Sequence, residues 1–156
     1  MLPRNYPRRT TQDWLLEGAA FAALLATFVM VFGHWQRLPA FARRGNGGTL
    51  SVMVFLNAGV YLLLTVAAHF QQLVNIPFEI DRDRPEVKQI LLRMTIVLKT
   101  VLMVLLAGLL WGILHTPLHT PVGRMRTAGR GYLVVFLIAM LAPTLIYVRK
   151  LSRFRK

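Results

Sequence analysis

Lys99 interrupts an apolar run that extends from Ile90 to Leu114. An ionisable side chain inside a membrane-crossing helix is a functional candidate by default. Counting back about 20 residues from Leu114 starts the membrane portion of that run near Thr95, which leaves Lys99 about one helical turn inside. From there its long stem reaches the surface, so a snorkelling ammonium is the first expectation. A second polar feature lies one run earlier. Asn57, Tyr61, Thr65 and His69 recur every four residues, which places them in a ridge down one helix face. Polar groups in lipid turn toward neighbouring helices and hydrogen-bond there. The expected arrangement therefore has this ridge facing the third helix, with Tyr61 or Thr65 near Thr95 and Lys99. One lysine without a buried carboxylate is a poor relay, so interhelical bonding is favoured over a transport path.

The other reactive types offer less. His34, His115 and His119 fall at one end of the predicted helices, and three imidazoles could hold zinc. Pro117 interrupts the spacing of the second pair, no acidic residue at that end could orient a ligand, and arginines nearby repel a cation. Solvated interfacial histidines and no metal site are expected. The chain contains no Gly-x-Ser-x-Gly, no phosphate loop and no His-Glu-x-x-His. It also has no cysteine, which excludes disulfides and cysteine nucleophiles. No catalytic residue and no cofactor is expected, and the chain is read as a non-enzyme. Small residues point to packing instead. Gly18, Ala22 and Ala26 are spaced by four, as are Gly108 and Gly112. Such faces let helix backbones approach within one bundle or across a subunit contact.

Four long apolar runs must position these residues: Trp14 to Trp35, Leu50 to Phe70, Ile90 to Leu114, and Tyr132 to Val148. Each is close to the length of about 20 residues that crosses a hydrocarbon core. Lipid offers the backbone no partners, and the runs lack the alternation of barrel strands, so they are helices. The fold class is an all-α integral membrane four-helix bundle. It forms one transmembrane domain over residues 1–156, with helices at about 13–35, 50–70, 85–115 and 131–149.

Local signals refine the ends. Thr10 and Asp13 have capping-box spacing at the first helix, and Asp13 and Glu17 suit its positive end. Gly45-Asn46-Gly47-Gly48 reads as a flexible loop end. Residues 76–81 read as an extended interfacial segment. Asp83, Pro85 and Glu86 predict a third helix that begins near Pro85, outside the membrane. Arg124, Arg126 and Arg130 are placed in the third loop, and Pro143 is expected to kink the fourth helix.

There are 19 Lys and Arg residues against 6 Asp and Glu, a formal charge of +13. In a soluble chain that excess would suggest nucleic acid. Here it lies in tails and loops, where it meets anionic lipid and sets orientation, so membrane lipids and not nucleic acid are the expected partners. The tails and middle connection hold 12 basic residues and the other two loops hold 6. The positive-inside rule then puts both termini in the cytoplasm.

The stretch Phe70-Gln71-Gln72-Leu73-Val74-Asn75-Ile76-Pro77-Phe78-Glu79-Ile80-Asp81, followed by a charged helix start and Lys99, resembles a bacterial membrane domain of unknown function. That domain is also found in SdpI-type immunity and signalling proteins. The resemblance lies mainly in residues 70–105, and Leu38-Pro39 is similar to the family's Leu-Pro loop. The family's Pro-x-His-Phe element has no counterpart, with Ala42-Arg43-Arg44-Gly45 in its place. The resemblance implies a multi-pass protein of the bacterial inner membrane and no catalytic residue. Together these readings favour a non-enzymatic accessory subunit, or an immunity or signalling partner, that contacts another membrane protein. The alternative is a small transporter or channel-like protein that uses the helix 2 ridge and Lys99.

Overall fold

A computed structural model describes residues 9–34, 47–70, 80–81, 84–115 and 122–154. Four helices account for nearly all of them: α1 (Thr11–Gly33), α2 (Gly47–His69), α3 (Pro85–His115) and α4 (Val122–Leu151), followed by a short 3-10 turn at Ser152–Phe154. All four are long and apolar enough to cross a membrane. The protein is an all-α polytopic membrane bundle.

Two helix starts follow local chemistry. Thr10 caps α1, its hydroxyl accepting the Asp13 amide while the Asp13 carboxylate accepts the Thr10 amide at 2.8 Å. This reciprocal pair satisfies two backbone donors that would otherwise be orphaned. Helix α3 begins at Pro85, where a missing amide hydrogen costs nothing and the fixed φ is already helical. Its 31 residues extend about 46 Å, well beyond a hydrocarbon core of about 30 Å.

Two other boundaries differ from the sequence reading. Gly47 and Gly48 lie in the first turn of α2 rather than in a flexible loop. Helix α4 starts at Val122, so Arg124, Arg126 and Arg130 belong to it and not to a loop. Charge ends a membrane crossing but not a helix, since arginine, methionine and alanine all favour helical backbone. The helix continues past Pro143, where the bond to the Ala139 carbonyl must be missing. The extended segment expected at 76–81 lies mostly outside the described residues, as does Asp83.

Helix α3 is the hub, touching each of the other three. It runs parallel to α1, since Asp13 meets Arg93 at one end and Val31 meets Leu110 and Leu114 at the other. Helix α2 is antiparallel to both, with Asn57 beside Thr27 and Ala68 packed against Leu92 and Ile96. Helix α4 is also antiparallel and packs on another side of α3, through Leu151 against Val87, Leu91 and Met94. The Tyr132 hydroxyl donates to the Leu105 carbonyl and joins the same two helices farther along. The start of α1 and the end of α4 therefore lie at one end of the bundle, beside the start of α3.

Candidate functional site

Lys99 does not snorkel. Its side chain is 0% exposed, and its ammonium donates to the carboxylate of Glu17, itself only 13% exposed. Helical side chains lean toward the N-terminus of their helix. The lysine stem therefore turns back along α3, and because α1 runs parallel, Glu17 stands at the depth it reaches. The sequence reading assigned Glu17 only to the helix dipole and found no buried carboxylate. Tertiary packing corrects the expectation of a lysine without a buried carboxylate, because the partner lies 82 positions away on another helix.

The remaining ammonium hydrogens also have acceptors. Thr65 Oγ1 is 3.3 Å from Nζ, and the Tyr61 ring centroid is 4.8 Å away. Thr65 donates its own hydrogen to the Tyr61 carbonyl at 2.7 Å, which turns its lone pairs toward Lys99. The three donors of the ammonium thus meet a carboxylate, a hydroxyl and an aromatic face. Glu17 has a second cation, with Arg9 Nη1 3.9 Å from its other oxygen. Three helices therefore contribute to one nearly dry charge cluster: Glu17 from α1, Tyr61 and Thr65 from α2, and Lys99 from α3.

The rest of the expected ridge divides. Asn57 is 1% exposed and donates to Thr27 Oγ1 of α1 at 2.7 Å, so it bonds to α1 rather than to α3. Thr27 is set for this contact by donating to the Ala23 carbonyl. The Asn57 Oδ1 is buried without a partner among the described residues. Thr95 is buried and donates to the Leu91 carbonyl of its own helix, 3.0 Å away. His69 is exposed, with Nδ1 2.9 Å from the Thr65 carbonyl. Tyr61, Thr65 and Lys99 therefore come together, and Asn57, Thr95 and His69 do not join them.

A second charged contact lies about one turn away toward the start of α1. Arg93 Nε is 3.3 Å from Asp13, whose carboxylate is fully buried. The same guanidinium donates to Thr10 and Gln12 at 3.2 Å. It thereby ties the α1 cap to α3. Thr100 completes the seam, its hydroxyl 2.9 Å from both the Leu16 and Ile96 carbonyls. Sequence reasoning missed Glu17, Asp13, Arg93 and Thr100 as partners. The signal that could have found them is the pair of carboxylates at positions 13 and 17 near the start of one apolar run and the cations at 93 and 99 near the start of another.

The small-residue faces lie elsewhere. Gly18, Ala22 and Ala26 are all exposed on α1, and Gly108 is exposed on α3. A Cβ added at Gly18, Gly108 or Gly112 would meet nothing within 4 Å. Among the described residues, Gly18 and Gly108 make no close helix contact. At the far end of the bundle His34 and His115 approach, with ring centroids 5.7 Å apart. Among the described residues no group of three or more metal-ligating side chains occurs.

Comparison of the chain with protein-family models, with curated proteins and with solved structures gave no match.

Proposed function

We propose that this polytopic membrane protein is non-enzymatic and acts through helix contact with another membrane protein, as an accessory subunit or an immunity or signalling partner. The observation that carries this reading is the separation of its polar and small-residue faces. Glu17 of α1 and Lys99 of α3 satisfy one another inside the bundle, with Tyr61 and Thr65 of α2 beside the ammonium. The stripe Gly18, Ala22 and Ala26 is exposed, and a Cβ added at Gly18 would meet nothing within 4 Å, which leaves this face open to close approach. The resemblance of residues 70–105 to the domain found in SdpI-type proteins supports a bacterial inner-membrane setting. Charge distribution supports cytoplasmic termini.

Gly18→Leu combined with Ala22→Leu tests the reading. Neither side chain is needed for contact within the bundle, so the variant should fold as the parent does and lose its co-purifying membrane partner in mild detergent. A parent chain that purifies as a monomer with no partner would defeat it.

One observation favours a second reading, a small transporter. Lys99 has the intramembrane carboxylate that a relay needs. On that reading Lys99→Met abolishes flux in liposomes. On the contact reading there is no flux to lose.

A further inference from the structure

The ends of α1 and α3 opposite the charge cluster hold a different set of side chains. His34 and His115 approach with ring centroids 5.7 Å apart and planes inclined by 68°. Each ring is fixed by the same device. His34 Nδ1 is 2.9 Å from the Met30 carbonyl, and His115 Nδ1 is 2.9 Å from the Trp111 carbonyl. A carbonyl can only accept, so each Nδ1 carries the hydrogen and each neutral ring keeps its lone pair on Nε2. A backbone carbonyl bound to one ring nitrogen is how metal-ligating histidines are commonly oriented.

The spacing fits a shared ion. Two imidazoles bound to one ion at about 2.0 Å hold their centroids about 5 to 6.5 Å apart, from a tetrahedral to a linear angle. The observed separation falls inside that range. Trp111 stacks on the His115 ring at 4.6 Å and adds an aromatic face on which a cation is stabilised. Met30 lies one turn before His34 on the same face of α1 and packs against the cluster of Val31, Leu110 and Leu114.

Charge selects among ions. The four described carboxylates, Asp13, Glu17, Asp81 and Glu86, lie at the start of α1 or at and just before the start of α3, at the other end of the bundle. Among the described residues the histidine end has no carboxylate to neutralise a divalent ion. The arginines that follow His34 and His115 in the sequence repel a divalent ion twice as strongly as a monovalent one. Neutral imidazole, with a thioether and an indole nearby, suits a soft monovalent ion. We infer that His34 and His115 form a binding site for a soft monovalent transition-metal cation of the copper(I) class, at the end of the α1–α3 seam. This inference is independent of the contact and transport readings, neither of which uses these residues.

The test uses the full chain in detergent micelles, with silver(I) as a redox-inert probe and copper(I) measured by competition with a chromophoric chelator. One equivalent should bind. His34→Ala and His115→Ala should each weaken binding by about 100-fold or more, since even the outer partners of metal ligands matter 10- to 100-fold. His69→Ala and His119→Ala should leave it unchanged. Carbethoxylation read by mass spectrometry gives a measurement on the unaltered chain: silver should protect His34 and His115 together while His69 still reacts. The assignment is overturned by parent affinity in the His34→Ala and His115→Ala variants, or by a loss that follows His119→Ala alone. Equal reactivity of His34 and His115 with and without silver also overturns it, and so does zinc(II) binding as tight as silver.

Discussion

The two halves of the α1–α3 seam are held by different physics. Near the helix starts, Asp13 meets Arg93 and Glu17 meets Lys99. Toward the other end the same helices meet through Val31, Leu110 and Leu114, with Met30, Met53, Val54 and Ile113 packed around them. A charge pair is directional, and a buried partner left alone is costly. Apolar contact in a membrane has no hydrophobic drive from water and depends on fit. The charged half therefore specifies which helices pair and in what register, and the apolar half contributes packing that tolerates conservative exchange.

The sharpest way to break this contrast is to remove one member of the deeper pair. Glu17→Gln should cost about 3–5 kcal/mol, because it leaves the Lys99 ammonium uncompensated in a dry site, and Lys99→Met should cost less, because Glu17 keeps Arg9 at 3.9 Å. Glu17→Leu with Lys99→Met should recover most of that loss. Unfolding titrations in mixed micelles measure all three. Single variants as stable as the parent would mean that the pair does not hold the bundle.

On the apolar half, Leu110→Ala should cost about 2–4 kcal/mol through the cavity it leaves, whereas Leu110→Met should cost less than about 1.5 kcal/mol. Equal losses for the two would remove the proposed tolerance. Arg93 is 38% exposed, so solvent screens its pair with Asp13, and the buried Asp13 carboxylate keeps its bonds from the Thr10 amide and hydroxyl when Arg93 is removed. Arg93→Ala should cost only about 1 kcal/mol in the same titration, including the lost support of the α1 cap. A loss as large as that of Glu17→Gln would place Arg93 in a drier site than the structure gives it.

The smallest effect should come from Thr27→Val. It removes the acceptor of Asn57 and should cost about 0.6 kcal/mol, the average for hydrogen bonds between membrane helices. Asn57→Leu also removes the orphaned Oδ1, so it should be neutral or stabilising. A larger loss in Asn57→Leu than in Thr27→Val would show that Oδ1 has a favourable partner.

The sequence already contained the parts of this comparison. Asn57, Tyr61 and Thr65 were legible as one ridge, because a four-residue period fixes a common face. The direction of the Lys99 side chain was not legible, because an isolated helix gives a lysine about one turn inside only water to reach for. Glu17 was visible as an acidic residue near a helix start, which is also where the dipole favours one. Two explanations then fitted the same residue. The fourth helix was misjudged at its start for a related reason: hydropathy marks where lipid ends, and the backbone follows propensity further.

The amino-acid sequence by itself determined that four helices cross a membrane, where α1 and α3 begin, and which side chains share a face. These are properties of contiguous residues, fixed by backbone hydrogen bonding in lipid and by helical period. Only the tertiary structure decided that α1 lies parallel beside α3. That neighbour relation turns Lys99 from a surface-seeking cation into half of a buried pair, and it brings His34 to His115. Both contacts join residues about 80 positions apart, and their geometry depends on which helix faces which, a choice that no local pattern encodes.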